Sequence, residues 1–320
     1  MAITFRSAIV ISLIHALWGG NPVAVKFGLQ VFPPLWSGFL RFSIAILCIL
    51  IWARFKGIPM MLKREELRPF SILSFIFFIQ IWLMNAGFEI SSGAISSVLI
   101  STFPLFAAFF SHVMIKGDQL TLLRTLGLAI AFSGTSLIVM RRGGLSVEEF
   151  SVWGAAIVLL SAMLLGFRLI LSAQMVRQTE PTRVVVWMMI LALWAFMLGG
   201  WIFEEIRWEN LDWPPLVGIL YQGVVIAGFG FMAMGLLYKF YSPTLVSSFG
   251  FISPVCGVLL SAWLLHEPLT WSIAIGTACV GVGLVLIAIS KASKGLSLLL
   301  PVGEGKRVSF FFRLHKERNL

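Results

Sequence analysis

The chain has 320 residues, of which 59% are hydrophobic and 12% are charged, and its mean hydropathy is +0.96. A soluble globular domain carries about 25% charged residues, so a water-soluble fold is excluded for most of this sequence. The formal charge of +10 would suit a nucleic-acid partner, but the basic residues lie between apolar runs and not along one polar face. We therefore expect a lipid bilayer around the protein and no nucleic acid.

Ten apolar segments are long enough to cross a bilayer, which takes about 20 residues of helix. Helices are favoured over barrel strands, because barrel strands are shorter and alternate polar with apolar residues. The first segment lacks a small-residue cleavage site, so we interpret it as an uncleaved span and not as a signal peptide. The predicted spans cover residues 7–28, 34–53, 69–88, 92–115, 121–140, 152–173, 183–203, 214–237, 243–265 and 269–290.

Span 1 contains the unusual stretch HALWGGNPVAVKFG at residues 15–28. A simple anchor does not need Gly-Gly-Asn-Pro, whereas a span that borders a cavity tolerates the backbone groups that a proline leaves unbonded. Trp18, Asn21 and Lys26 are therefore candidates for substrate binding, and Pro22 is a candidate hinge. Lys26 lies near the end of the span, where a lysine can also snorkel to the interface.

Ionisable residues inside the other spans are functional candidates, since a charge in the bilayer interior is costly. Arg41 in span 2 could bind an anionic group of a substrate, pair with Glu89 or hold a backbone carbonyl. Arg168, deep in span 6, is a candidate on the same grounds. Glu89 at the outer end of span 3 is either an interfacial acid or a carrier of a coupling proton.

Polar and aromatic side chains on the same spans complete the predicted cavity lining. Some lie three or four residues apart, which places them on one face of a helix. An aromatic residue near a span end can instead belong to the interfacial belt. The further cavity candidates are Trp82, Asn85, Ser97, Ser101, Tyr221, Gln222 and Ser247.

Two stretches of the chain, which start at Ala94 and Thr244, share an ordered series of residues. The helix-kinking prolines are candidate hinges, and glycines seven residues apart allow close helix packing. With one single-residue gap, the aligned pairs are Ser97 with Ser247, Pro104 with Pro254, Asp118 with Glu267, Gly127 with Gly276, and Gly134 with Gly283.

This repeat divides the ten spans into two sets of five, which must run in opposite orientations because five is odd. Inverted repeats are a common architecture of secondary transporters, with the substrate site near the midplane between the halves. We predict an all-α integral membrane protein of ten transmembrane helices, built as two inverted-topology five-helix repeats around a central cavity. The first repeat comprises residues 1–146, the second residues 147–291, and a basic cytoplasmic tail residues 292–320.

Lysine and arginine residues set the predicted orientation through the positive-inside rule. With the N-terminus inside, 11 basic residues ahead of the tail fall on the inner side, whereas only Arg141, Arg142 and Arg207 fall on the outer side. We therefore expect a multi-pass protein of the bacterial inner membrane with both termini in the cytoplasm.

The sequence resembles the EamA-type branch of the drug/metabolite transporter superfamily over residues 7–290. The resemblance rests on LWGGNPVAVK in span 1, on Leu-Arg-Phe at residues 40–42, and on the two stretches that join a proline to an acidic turn. It implies ten helices in two inverted repeats with a central cavity, in a family that includes amino-acid and metabolite exporters. Asp118 stands where the family usually has Glu, and the basic tail is a second departure.

The predicted function is secondary or facilitative transport, with export of amino acids or related metabolites by alternating access. The sequence has no Walker A motif, no dinucleotide-binding motif, no catalytic triad and no metal-ligand spacing, so we expect no cofactor, no metal and no catalytic residues. A coupling proton is a candidate partner besides the small-molecule substrate. Import of a sugar, nucleotide or vitamin is the first alternative, and an intramembrane enzyme is the second.

Overall fold

The computed structural model describes residues 5–114, 121–141, 151–176, 178–241, 246 and 248–295. The α-helices in this part of the chain are α1 (Phe5–Gly19), α2 (Asn21–Leu29), α3 (Pro34–Phe55), α4 (Arg64–Glu89), α5 (Gly93–Ile100), α6 (Phe103–Met114), α7 (Leu122–Met140), α8 (Val152–Val176), α9 (Pro181–Phe203), α10 (Trp213–Leu220), α11 (Phe231–Phe240), α12 (Ile252–Leu264) and α13 (Trp271–Gly295). A π-helical segment, Tyr221–Gly230, joins α10 to α11.

Eight helical segments of the described chain are long and apolar enough to cross a bilayer. They match the first eight predicted spans to within a few residues at each end, except that α4 begins at Arg64 and so takes in a charged first turn. Two shorter apolar helices, Ile252–Leu264 and Trp271–Leu286, fall within the last two predicted spans. The protein is therefore an all-helical, multi-pass membrane protein.

Spans 1 and 4 are each broken into two helices, and the prolines mark the breaks. Pro22 lies in the first turn of α2, immediately after the break at Gly20. Pro104 lies in the first turn of α6, and Pro254 in the first turn of α12. A proline is well accommodated in the first turn of a helix, where its missing N–H would be unbonded anyway, and the role of these three prolines as hinges stays a prediction.

The aligned glycines meet across the close contact between α7 and α13. A Cβ atom added to Gly134 would lie 2.8 Å from the carbonyl oxygen of Gly276, and one added to Gly283 would collide with the carbonyl oxygen of Gly127. Only glycine allows the two backbones to approach this closely. Replacing each glycine by its aligned counterpart turns the first contact into the second. Such equivalence is typical of a two-fold arrangement.

The largest hydrophobic cluster of the described residues extends over most of the helices, and its aromatic part lies between α3, α4 and α9. Phe42, Phe77 and Phe196 are fully buried in it. The rings of Phe42 and Phe77 lie 4.7 Å apart, and those of Phe42 and Phe196 lie 5.6 Å apart. This packed aromatic wall borders the two buried arginines described next.

Candidate substrate site in the helix interior

Arg41 lies deep in the protein and is only 3% exposed. It follows the start of α3 by seven residues, which places it about 10 Å along the helix axis. Its NH1 group donates a hydrogen bond of 3.2 Å to Oε1 of Gln222, and its Cζ atom lies 4.5 Å from the centre of the Phe42 ring. Its Nε atom is buried without a hydrogen-bond partner in the described structure. In the described structure Arg41 bonds neither a backbone carbonyl nor Glu89, which pairs with Arg207 instead.

Gln222 connects Arg41 to the first span. Its Nε2 group donates to the carbonyl oxygen of Ala24 at 3.0 Å, while its Oε1 accepts from Arg41. Gln222 is fully buried and belongs to the π-helical segment. Such segments are rare and occur frequently at functional sites. The backbone geometry therefore supports Gln222 as a candidate functional residue.

Arg168 of α8 also contacts the aromatic cluster and is 8% exposed. Its Cζ atom lies 5.0 Å from the centre of the Phe77 ring and 5.7 Å from that of Phe231. Its NH1 group lies 3.4 Å from Sδ of Met188. Because the rings of Phe42 and Phe77 lie 4.7 Å apart, the two arginines, which come from different halves of the chain, share one aromatic region.

Trp18 borders the same aromatic cluster. Its ring makes an edge-on contact with Phe231, with ring centres 6.1 Å apart. Its buried Nε1 group has no hydrogen-bond partner in the described structure. A Cβ atom on Gly230 would lie 2.7 Å from that nitrogen, so the glycine makes room for the indole.

His15 is a buried polar residue that the sequence reasoning did not select. It is fully buried, and its Nε2 lies 3.1 Å from the carbonyl oxygen of Val246. Ser253 Oγ donates to the carbonyl oxygen of His15 at 2.8 Å and lies 3.4 Å from Nδ1. These contacts join α1 to α12. The sequence does contain a signal for His15, because a polar histidine inside an apolar span is energetically costly and is therefore a functional candidate.

Lys26 caps a helix. Its ammonium group donates to the carbonyl oxygens of Phe88 at 3.1 Å, Glu89 at 3.4 Å and Ser91 at 2.8 Å. These carbonyls end α4 and lack partners within the helix. Lys26 thus holds the end of α4 against α2, and its part in substrate binding stays a prediction.

Two carboxylates at the same end of the bundle cap helices of the first half of the chain. Glu204 accepts hydrogen bonds from the backbone N–H groups of Leu35 at 2.9 Å and Trp36 at 3.1 Å. Glu267 does the same for Gly93 and Ala94 at the start of α5. Burial raises the pKa of Glu204, and the two hydrogen bonds to its carboxylate oppose that rise.

Glu89 forms an ion pair with Arg207, at a distance of 2.7 Å between Oε1 and NH2. Arg207 also donates to the carbonyl oxygen of Leu29 at the end of α2. Glu89 therefore belongs to the charged end of the bundle, where Lys26 and Glu267 line a shallow cavity of about 400 Å³ with it. Its proposed part in proton coupling stays a prediction.

The remaining predicted residues make mostly structural contacts. Asn85 donates to the carbonyl oxygen of Pro34 at 2.8 Å, and Tyr221 donates to that of Leu17 at 2.7 Å. Ser97 and Ser101 donate to carbonyl oxygens one turn earlier, at Gly93 and Ser97, which is a common use of a helical serine.

Four further residues that the sequence singled out are two described residues, Trp82 and Asn21, and two that lie outside the described chain, Ser247 and Asp118. Trp82 is 39% exposed and stacks on Phe78 at 6.5 Å. Asn21 begins α2, and its Oδ1 is buried without a partner in the described structure. Among the described residues, no group of three or more His, Cys, Asp or Glu side chains could hold a metal ion.

The sequence matches one family model twice. The EamA-like transporter family matches residues 6–140 and again residues 152–289. The chain belongs to the EamA-like transporter family. This confirms the resemblance seen in the sequence, and a small-molecule substrate follows from membership of this transporter family.

Individual relatives agree with this assignment. The chain is 26% identical over 290 residues to the uncharacterized inner membrane transporter YedA of Escherichia coli (strain K12), covering 87% of this EamA-family protein and 89% of the relative. It is 24% identical over 285 residues to a probable amino-acid metabolite efflux pump of Salmonella typhimurium, covering 86% and 92% of the two chains. A solved crystal structure superposes with a TM-score of 0.69 at 18% identity, covering 91% of this chain and 99% of that one, which shows the shared fold.

Proposed function

We propose that the protein is a secondary transporter that exports amino acids or related small metabolites across the bacterial inner membrane by alternating access. The observation that carries the proposal is the buried hydrogen bond between Arg41 of the first half and Gln222 of the second. A charged group held deep between two halves of a membrane protein is where a transported substrate is expected to bind.

An architecture of ten helices in two inverted repeats supports alternating access. The family model matches the two halves separately, and the glycines of α7 and α13 meet in two equivalent contacts. Helix packing has the same correspondence. Helix α1 of the first half corresponds to α8 of the second, and α6 corresponds to α12; α1 packs on α12, and α8 packs on α6. We propose residues 1–146 and 147–291 as the two repeats, with Pro22, Pro104 and Pro254 beside the helix breaks at which the halves can bend.

Polar contacts at both ends of the bundle join the two halves. At one end of α4, Arg183 NH2 lies 2.6 Å from Glu66 Oε2, while at the other end Glu89 pairs with Arg207. Alternating access requires each set to break in turn while the other holds. The Glu89–Arg207 pair is the more exposed of the two and suits this task, since exposed pairs contribute only about 0–1 kcal/mol.

Export and an amino-acid substrate are supported by the name of the Salmonella relative. With no nucleotide-binding motif in the sequence, an ion gradient, exchange or the gradient of the substrate itself would supply the energy. The excess of basic residues in the predicted inner loops places both termini in the cytoplasm. A reporter fused at Leu320 that is active only outside the cytoplasm would contradict that orientation.

Counterflow in proteoliposomes tests the proposed function. Purified protein is reconstituted with an unlabelled amino acid inside, and entry of the same labelled amino acid is followed for each member of a panel. We expect saturable counterflow for at least one amino acid and its loss in Arg41→Gln, with Arg54→Gln at the exposed end of α3 as the matched control. The absence of counterflow across the panel would refute amino-acid transport. Product formation without flux would instead favour an enzyme.

A further inference from the structure

We propose that Arg41 binds a carboxylate group of the substrate, and that Gln222 occupies Arg41 until the substrate arrives. This inference rests on the proposed transport function and names the chemical class of its substrate. The predicted spans contain buried basic residues without acidic residues to balance them. None of the 14 Asp and Glu residues falls within any of the ten predicted spans, whereas Arg41 and Arg168 lie deep within two of them.

The hydrogen bonding of Arg41 is incomplete. A guanidinium group has five N–H donors, and the described structure gives this one a single acceptor, the neutral Oε1 of Gln222 at 3.2 Å. Its Nε group has none, although the side chain is 97% buried. A buried cation is usually paired with an anion. The imbalance is therefore explained if the anion belongs to the substrate.

Arg168 strengthens the requirement for a negative charge. The rings beneath the two guanidinium groups, Phe42 and Phe77, lie 4.7 Å apart, and like charges in a medium of low dielectric constant repel. A carboxylate beside Arg41 would relieve this repulsion. It would also accept two parallel hydrogen bonds from the guanidinium fork, an arrangement stronger and more selective than a single bond to an amide.

The walls of the site indicate the rest of the substrate. Arg41 lies over the ring of Phe42 at 4.5 Å, and Arg168 lies over those of Phe77 and Phe231. The surroundings of both arginines are thus aromatic, and an apolar or aromatic body suits such surroundings. A small organic carboxylate with an apolar body therefore fits this region better than an inorganic anion or a sugar.

Gln222 has the contacts expected of a group that the substrate displaces. Its Oε1 supplies the one acceptor of Arg41, and its Nε2 holds the carbonyl oxygen of Ala24 in span 1 at 3.0 Å. Arrival of a carboxylate would free Oε1 and weaken the contact between span 1 and the π-helical segment. Substrate binding is thereby linked to a contact between the two halves of the chain.

Thermal unfolding of the purified protein with matched probes tests the inference. The probes are 3-phenylpropanoate and its uncharged amide, 3-phenylpropanamide, with inorganic phosphate as a third arm. We expect the propanoate to raise the melting temperature and the amide to bind about tenfold to a hundredfold more weakly, because hydrogen bonds to a charged group exceed those to a neutral one. Stabilisation by phosphate alone, equal stabilisation by amide and acid, or stabilisation by none of the three would overturn the proposal.

Two variants separate binding from folding. Gln222→Glu places a carboxylate beside Arg41, so we expect a protein at least as stable as wild type that no longer responds to 3-phenylpropanoate. Arg41→Gln should also lose the response, and the control Arg54→Gln should keep it. A normal response in Gln222→Glu would contradict the proposal even if Arg41→Gln does not fold.

The binding assay and the counterflow assay can contradict the two proposals separately. Binding of 3-phenylpropanoate that depends on Arg41, without counterflow of any amino acid, would leave the carboxylate site intact and refute the proposed transport of amino acids. Counterflow of an amino acid whose amide is carried equally well would refute the carboxylate site and leave the transport function intact.

Discussion

Glu267 caps the helix that begins at Gly93, and it reaches that helix from the other half of the chain. Its two carboxylate oxygens accept backbone N–H groups at 2.6 Å from Gly93 and 2.8 Å from Ala94. A helix start has unbonded N–H groups and a partial positive charge, so a carboxylate there is stabilising on both counts. The acidic turn recognised in the repeat thus has a definite structural role in the second half of the chain.

Replacing Glu267 by glutamine should destabilise the protein by about 1–2 kcal/mol, the usual magnitude for the loss of a helix cap. One oxygen remains as an acceptor, but the charge is lost and the amide group cannot accept the second N–H. Thermal or denaturant unfolding in detergent measures the change, and Glu209→Gln in the exposed Trp208–Asn210 turn is the control. Equal effects of the two substitutions would show that the cap contributes nothing.

Glu204 should make stability depend on pH in the opposite sense to an ordinary surface acid. Burial raises its pKa above the usual 4.5, so the folded protein holds this proton more tightly than the unfolded chain. Its contribution to the free energy of unfolding is therefore fully present below pH 4.5, the usual pKa. That contribution is lost as the pH rises through the pKa of Glu204 in the folded protein. We expect Glu204→Gln to remove this decline when melting temperatures are measured across acidic to neutral pH. An unchanged pH profile in the variant would contradict the assignment.

Lys26→Met should lower stability by about 1–2 kcal/mol, since it leaves three carbonyl oxygens near the end of α4 without their cationic donor. Lys26→Arg should recover part of the loss, because a guanidinium can also donate to carbonyls. Unfolding measurements on both variants test this. A snorkelling lysine would make the methionine variant neutral or stabilising, so the sign of the effect decides between the two roles.

The sequence predicted the helices well because their signals are local. Long apolar runs, charged ends and prolines located eight spans to within a few residues. Pro22 and Pro104 marked the interruptions of spans 1 and 4, but a proline in an apolar run fits either a kink or a new first turn. Only packing decides between them, as it does where α2 and α6 begin at Asn21 and Phe103.

The candidate site residues could be predicted by residue type, but not their contact partners. Arg41 stood out as a charge within a span, but its partner Gln222 is 181 residues away, and no local pattern encodes that contact. The role of Lys26 depends on the carbonyls of Phe88 and Ser91, which lie more than 60 residues away. His15 was missed because its partners, Val246 and Ser253, come from the opposite end of the chain.

Glycines on α13 provide a sharp test of the close contact with α7. A Cβ atom on Gly276 would collide with the side chain of Ile138 and lie 2.8 Å from the carbonyl oxygen of Gly134, whereas one on Gly281 would meet nothing within 4 Å. We expect Gly276→Ala to destabilise the protein by about 1–3 kcal/mol through overpacking. Gly281→Ala, on the same helix, should be neutral or slightly stabilising, because alanine favours the helix more than glycine does. Melting temperatures of the two variants measure the difference. Equal stability of the two proteins would mean that α7 and α13 do not approach as closely as these positions require.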